Sequence, residues 1–403
     1  MFRFLILSAG LALAGLPATA QMAPDPISAE IAAKGLRPVR DRLAAMSARS
    51  DAENFALGGL SFLSAVETAL QTRYRLALSP DISVVPVLRL PVPPNPSPAP
   101  FTAPALTEMV RAMRDDVRSA LPVLDAIPET SDFGLALRIA DIWFDIDANG
   151  VRGEGETLYE VLGQVMFGRT GFDPAQLDVL VVRFDLADSR WLSAYANLVA
   201  ATASAILAYD PTDAIRRAMD AKAALAEVNK GEPLANGIDM MVGSFVDVVA
   251  VAKEALSHQP DRDEAALALM HLEAVVDRNR AFWRLVAAET DDAAEWIPND
   301  AQQSAMGLRF PKGTGAAWQE VLADADRMLK GELLLPYWRL SAGAGLNLRK
   351  MFLDPRPVDV VDWIQGVAAV PYAERGPRIS TAAWWRFNDL MQGRGLLFAA
   401  VLN

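Results

Sequence analysis

The chain is predicted to be all-α, mainly helical, with at most a minor two-stranded β element. Three observations carry this expectation. From residue 105 onward, apolar residues recur at three- and four-residue spacing, the period of an amphipathic helix. Strand-like runs are confined to 82–90 (ISVVPVLRL) and Val179–Phe184 (VLVVRF). These two runs can pair in a small sheet, or the second can belong to a helix. No self-similarity at a period of about 20–50 residues points to a solenoid.

Composition removes several function classes. Cysteine is absent from all 403 residues, which excludes disulfides, zinc–thiolate sites, iron–sulfur clusters and cysteine nucleophiles. Two histidines leave no multi-histidine metal site. Lys plus Arg number 38 and Asp plus Glu 50, a net charge of −12. That balance argues against nucleic acid, and against anionic membrane surfaces as main partners. It suits solubility and cation binding.

Taken in order, residues 1–20 (MFRFLILSAGLALAGLPATA) place one basic residue before an uncharged run from Phe4 to Leu16 and an Ala18-Thr19-Ala20 site. This is the layout of a secretory signal peptide cut after Ala20. The run is short for a transmembrane helix. A periplasmic or secreted address is expected, and no integral membrane protein once the signal is removed. Residues 28–78 read as helix with a break around Gly35–Pro38. Phe55, Phe62, Leu63, Val66, Leu70 and Tyr74 share one face of its second part, with Asp51 as the N-cap. Seven prolines fall in the fourteen residues 91–104, which predicts a polyproline-like connector, either a stiff linker or a wrapped surface arm. The connector separates an N-terminal helical segment, 21–90, from a helical domain, 105–403.

In that domain helices are predicted at 105–126, 132–144, 155–167, 188–209, 211–227, 236–258, 261–289, 315–331, 357–370 and 380–393. Trp191–Tyr209 is uncharged and long enough to span a bilayer. Its alanines, with Ser193, Asn197, Thr202 and Ser204, predict instead a central helix of a soluble core. In 236–258, the face expected to be buried holds Met241, Val242, Phe245, Val248, Val249 and Ala252.

One motif carries chemistry. Residues 145–156 read Asp145-Ile146-Asp147-Ala148-Asn149-Gly150-Val151-Arg152-Gly153-Glu154-Gly155-Glu156. Calcium is a hard cation that takes about six to eight oxygens at about 2.3–2.6 Å. Asp145, Asp147 and Asn149, two residues apart, can turn side-chain oxygens inward as the loop winds round an ion. Gly150 permits the sharp turn after the third ligand. The Val151 carbonyl then faces the ion, and Glu156 supplies a carboxylate at the twelfth position. Gly153 at the ninth leaves room for a water. The flanking residues Phe133, Leu137, Ala140 and Phe144, and then Leu158, Val161, Leu162 and Val165, space as helical faces. Leu135, Leu137 and Ile139 alternate, however, which is also a strand pattern.

The loop resembles the EF-hand and related DxDxNG calcium loops. The resemblance covers about a dozen residues, and it implies a calcium site at Asp145, Asp147, Asn149, Val151 and Glu156. The eighth position, usually aliphatic in paired hands, is Arg152. No second loop of this spacing occurs. A lone structural site, with a dissociation constant of about 10⁻⁵ to 10⁻³ M, is therefore expected rather than a paired sensor.

Other features are weaker. Glu289–Asp300 (ETDDAAEWIPND) gathers Glu289, Asp291, Asp292, Glu295 and Asp300 around Trp296. It is expected to be a solvated acidic loop, or else the carboxylate pair of a glycan-cleaving site. His258 reads as a helix C-terminal cap and His271 as a structural histidine. Thr314 is expected to cap the helix that follows. Tyr337, Trp338, Trp363, Tyr372, Trp384 and Trp385 read as core anchors. The sequence contains no G-x-S-x-G, S-x-x-K or H-E-x-x-H. The function expected is an exported binding or envelope-assembly protein with one structural calcium, its partner an envelope protein or glycan. The alternative is a carboxylate-dependent hydrolase acting on envelope or extracellular glycan.

Overall fold

The computed structural model describes residues 22–78, 90–166, 178–230, 243–292, 294–305, 307 and 310–399. The predicted signal segment 1–20 and the run 82–89 lie outside the described residues, as do 231–242 with Met241 and Val242. The described chain is mainly helical with two small antiparallel two-stranded sheets, as the periodicity predicts.

Helices α1 (Pro26–Lys34) and α2 (Leu36–Ala44) are separated by Gly35. The Trp143 ring packs there, 3.1 Å from where a Cβ would stand. Helix α3 (Asp51–Leu76) begins at a capping box. Ser50, not Asp51, is the N-cap. Its hydroxyl accepts from the Glu53 N–H at 3.3 Å, and the Glu53 carboxylate accepts from the Ser50 N–H at 2.8 Å. Asp51 becomes the first helical residue, where its charge meets the positive end of the helix dipole. The proline connector has no helix or strand and is strapped along the C-terminal end of α3. Asn95 Nδ2 donates to the Tyr74 carbonyl at 2.9 Å and the Ala99 N–H to the Arg75 carbonyl at 2.8 Å, satisfying oxygens that a helix end leaves free.

After α4 (Ala105–Asp125) the structure corrects the expectation. The predicted helix 132–144 is a strand, β1 (Leu135–Arg138), followed by a 3-10 turn (Ile139–Asp141). The alternation of Leu135, Leu137 and Ile139 decided it, because a strand puts all three on the core side. Helix α5 (Leu158–Met166) follows the 145–156 loop. Strand β2 (Val181–Phe184) pairs antiparallel with β1, Leu135 opposite Phe184 and Arg138 opposite Val181. The partner of Val181–Phe184 is thus 135–138, within the predicted helix 132–144, and not the run 82–90.

Helix α6 (Leu186–Ala208) is the central element. It packs on α4 and on α9 (Arg262–Ala288), while α3 covers α4. Its small residues let neighbours approach closely: Ser193, Ala194, Ala196, Ala200 and Ala203 are all buried. It is long and apolar enough to cross a membrane, but 61% of that stretch is buried within the fold. Asn197 in its middle meets His271 of α9, with Oδ1 2.8 Å from Nδ1. Helices α7 (Thr212–Asn229) and α8 (Ser244–Ser257) pack on one another. The apolar face expected to be buried in α8 is largely open: Phe245 is 70% exposed and Val249 50%. Periodicity identifies a face; it does not supply a partner for it.

Helix α10 (Thr314–Leu329) lies on α9. Gly313, not Thr314, holds its N-cap position. A lobe with its own small core follows, built from β3 (Ala344–Leu346), α11 (Leu348–Leu353), α12 (Val360–Gln365) and β4 (Ala373–Arg375), with Leu346, Ala369 and Tyr372 buried. The predicted helix 357–370 is shortened to α12. Helix α13 (Ala382–Leu390) returns to α10 through Trp318 and Phe387, ring centroids 4.8 Å apart.

Candidate metal site and a second carboxylate cluster

The 145–156 loop is shaped by its two ends. Trp143 and Thr157 form an antiparallel bridge, with the Phe144 N–H donating to the Glu156 carbonyl at 2.8 Å and the Leu158 N–H to the Ile142 carbonyl at 3.0 Å. This folds the chain back on itself and sets Glu156 beside Ile146. The entering arm is anchored on α1, where the Trp143 indole donates to the Ile31 carbonyl at 3.0 Å. Helix α3 holds the first loop residue from behind. The Asp145 N–H donates to Glu67 Oε2 at 2.9 Å, and Gln71 Nε2 donates to the Asp145 carbonyl at 2.7 Å. Glu67 is itself buried and paired with Arg37 at 2.7 Å. Burial pushes its carboxyl pKa up, against the opposing pull of those bonds.

Within the loop, one carboxylate oxygen each of Asp145, Asp147 and Glu156 lie within 4.8 Å of one another. Glu156 is 3% exposed. Its Oε1 accepts from the Ile146 N–H at 2.8 Å and its Oε2 from the Gly153 N–H at 2.6 Å. Gly153 matters for a reason the sequence did not suggest. A Cβ there would stand 3.2 Å from Glu156 Oε2, so the bare position lets the carboxylate close in. Gly150 has φ +75° with nothing near its Cβ position, so backbone conformation rather than space calls for glycine. Its N–H donates to Asp145 Oδ2 at 3.1 Å. The other oxygen, Asp145 Oδ1, is buried with no hydrogen-bond partner.

Asn149 lies in the same turn. Its Nδ2 donates to Asp147 Oδ2 at 2.8 Å, and its Oδ1 accepts from the Val151 N–H at 2.6 Å. The Val151 side chain is 67% exposed, and its proposed donor is the backbone carbonyl. Carboxylates and carbonyls are hard oxygen donors that fit a cation such as calcium. The surroundings are not those of an EF-hand, since the entering arm is a strand and turn where the motif has a helix.

A second carboxylate cluster forms where the sequence suggested a solvated acidic loop. Asp185, Glu289 and Glu295 bring oxygens within 4.8 Å of one another. Asp185 is the N-cap of α6, and Asp188 completes its capping box by accepting from the Asp185 N–H at 3.0 Å. Glu295 is 3% exposed and Asp188 4%. Burial, then the neighbouring Asp185, raises the Asp188 carboxyl well above the usual carboxylate range. Burial, with Asp185 and Glu295 beside it, pushes Glu289 up to about 7. Arg183 is a nearby cation, 3.4 Å from Asp185 and 3.5 Å from Asp291. Asp291, Asp292 and Asp300 remain exposed. Trp296 packs against Phe184 and Trp191. Glu289 also lines a cleft of about 550 Å³ with Trp283, Phe310 and Gly315.

Sequence reasoning missed Glu67, Gln71, Asp185 and Asp188. The Asp185-x-x-Asp188 spacing is legible as a helix start, but nothing local tells that Glu289 and Glu295 meet it. His271 is buried, and burial followed by Arg118 and Arg114 pushes its pKa down to about 4, so it is a neutral core residue. Trp338 and Trp385 are 67% and 56% exposed and are not core anchors. Comparison with protein-family models, with curated proteins and with solved structures finds no match.

Proposed function

We propose that this chain is an exported helical protein carrying one structural calcium ion in the 145–156 loop, and that it acts as a binding or envelope-assembly protein. The observation that carries the metal assignment is the buried, unpartnered Asp145 Oδ1 beside oxygens of Asp147 and Glu156. Leaving a buried acceptor unsatisfied costs about 1–3 kcal/mol, more for a charged group. A divalent ion held by Asp145, Asp147, Asn149, the Val151 carbonyl and Glu156 offsets that cost and the repulsion among three carboxylates. Through Asp145 the ion ties the loop to α3, and through Glu156 to α5. Its effect is to add stability. Titration of the full chain with calcium, followed by calorimetry, tests the assignment. Binding of one ion with a dissociation constant of about 10⁻⁵ to 10⁻³ M is expected. No binding at millimolar calcium overturns it.

A second reading, a carboxylate-dependent hydrolase acting on envelope or extracellular glycan, is favoured by Glu289. A carboxyl held near neutrality on the wall of a cleft is a candidate general acid. Glycan cleavage abolished by Glu289→Gln supports it, and cleavage unchanged in that variant removes it.

A further inference from the structure

An ion in the 145–156 loop needs the Asp145 carboxylate held at a set distance from Glu156, and the residues that hold it lie far away in sequence. Glu67 and Gln71 stand on one face of α3, one helical turn apart. Between them they take both backbone polar groups of Asp145. Glu67 Oε2 accepts from its N–H at 2.9 Å, and Gln71 Nε2 donates to its carbonyl at 2.7 Å. Arg37 of α2 orients the pair. Its Nε donates to Glu67 Oε1 at 2.7 Å, which leaves Oε2 for the loop. Its Nη2 lies 3.5 Å from Gln71 Oε1, so that oxygen faces the guanidinium and the amide nitrogen faces Asp145. Nη2 also donates to Thr68 Oγ1 at 2.7 Å, which fixes the guanidinium itself.

The loop is therefore fixed unevenly. Phe144 and Ile146, on either side of Asp145, are fully buried. Their N–H groups both go to Glu156, one to its carbonyl and one to Oε1, each at 2.8 Å. Glu156 Oε2 is held in turn by the Gly153 N–H at 2.6 Å. Asp145 and Glu156 are thus tied to each other and, through Asp145, to a long helix. Asp147 is exposed and bonded to Asn149 within its own turn. Two of the three carboxylates are set in a frame and one is free to adjust. Ions differ in what they ask of such a frame. Calcium accepts about six to eight oxygens at about 2.3–2.6 Å in flexible geometry, whereas magnesium demands a near-ideal octahedron at about 2.0–2.1 Å. To serve magnesium, each oxygen must move inward by roughly 0.3–0.5 Å, and Asp145 cannot do so without pulling on α3.

We propose, resting on the calcium reading of this loop, that Glu67 and Gln71 are positioning residues that set the affinity of the site and its preference for calcium over magnesium. Neither touches the ion. By clamping the Asp145 backbone on both sides they hold its carboxylate ready, so ordering it at the moment of binding costs little. The same clamp resists contraction, which penalises the smaller ion. Outer partners that orient a metal ligand act in this way, and removing one weakens metal binding by about 10–100-fold. Gln71 isolates the effect. It is neutral, so its replacement by methionine alters no charge near the ion and only releases the Asp145 carbonyl.

The test is calorimetric titration of the full chain with calcium chloride and, separately, with magnesium chloride. Wild type is compared with Gln71→Met, Glu67→Gln and Gly58→Ala. Gly58 lies in the same helix but faces Leu124 of α4, so its variant loosens α3 without touching the loop. Gln71→Met and Glu67→Gln are each expected to bind calcium about tenfold more weakly. Magnesium is expected to lose less, so the ratio of the two affinities falls at least about threefold. Gly58→Ala is expected to melt lower yet keep the wild-type affinity and ratio. Glu67 is buried, and Gln71 is only half-buried, so Gln71→Met decides the matter if Glu67→Gln does not fold. Gln71→Met binding calcium within about twofold of wild type, or losing both ions equally, overturns the proposal and leaves the calcium reading standing. So does Gly58→Ala losing as much affinity as Gln71→Met, because stability of α3 and not the clamp then sets the site. Wild type that binds no calcium at millimolar concentration overturns both.

Discussion

Replacing Asp147 by alanine and Glu156 by glutamine separates the ion's contribution from that of the loop itself. Asp147 is exposed and accepts from Asn149 in the same turn, from the backbone N–H at 3.1 Å and from Nδ2 at 2.8 Å. Without calcium, Asp147→Ala should change stability by no more than about 0.5 kcal/mol. Glu156 is 3% exposed and accepts two backbone N–H bonds. Glutamine turns an amide N–H₂ toward one of those donors, so Glu156→Gln should cost about 1.5–3 kcal/mol even without the ion. Calcium at about one hundred times its dissociation constant adds about 2.7 kcal/mol to wild type by mass action. Spread over an unfolding entropy of about 2.1 cal/mol/K per residue, that is a rise of about 3 °C in midpoint. Glu156→Gln should start about 2–4 °C lower. Both variants should lose most of the calcium response. Calorimetric melting of the three proteins, with calcium and with a chelator, reads all of these values. A wild-type midpoint indifferent to calcium, or an Asp147→Ala variant that keeps the full rise, refutes the reasoning.

Other outcomes follow from single contacts. Folding raises the Glu289 carboxyl from 4.5 to about 7, so the stability its proton confers is complete below about pH 4.5 and is lost as pH rises through about 7. Glu289→Gln should remove that slope and stabilise the protein at pH 8 by on the order of 1–2 kcal/mol, discounted for partial exposure; urea titrations at pH 5 and 8 measure it. A Cβ on Gly58 would stand 2.5 Å from Leu124 Cδ2, where α3 meets α4, so Gly58→Ala should cost about 1–3 kcal/mol in denaturant midpoint despite alanine's better helix propensity. Ser50→Ala removes the α3 N-cap and should cost about 1 kcal/mol, whereas Asp51→Ala, at the first helical position, should cost less; thermal melts of the pair distinguish the two assignments.

Much of the helical plan was legible because each helix declares itself locally. The bounds read for α4, α6 and α9 differ from those observed by a residue or two, since their apolar spacing is long and uninterrupted. The segment 132–144 misled because Phe133, Leu137, Ala140 and Phe144 satisfy a helical period while Leu135, Leu137 and Ile139 satisfy a strand period. Only pairing with Val181–Phe184, far along the chain, settles which wins. The second sheet, β3 with β4, left no signal because each strand is three residues long.

By itself, the sequence determined a mainly helical fold without disulfides, a connector too rich in proline for helix or strand, and the five positions of one oxygen-rich loop. Those are consequences of residue type and near-neighbour spacing. Tertiary structure alone decided that α3 backs the loop through Glu67 and Gln71, and that Asp185 and Asp188 share a buried pocket of charge with Glu289 and Glu295. It alone decided that Val360, Val361 and Ile364 of α12 stay open at the surface. Desolvation and Coulomb energies depend on distance in space, and a one-dimensional pattern sets distance only along the chain.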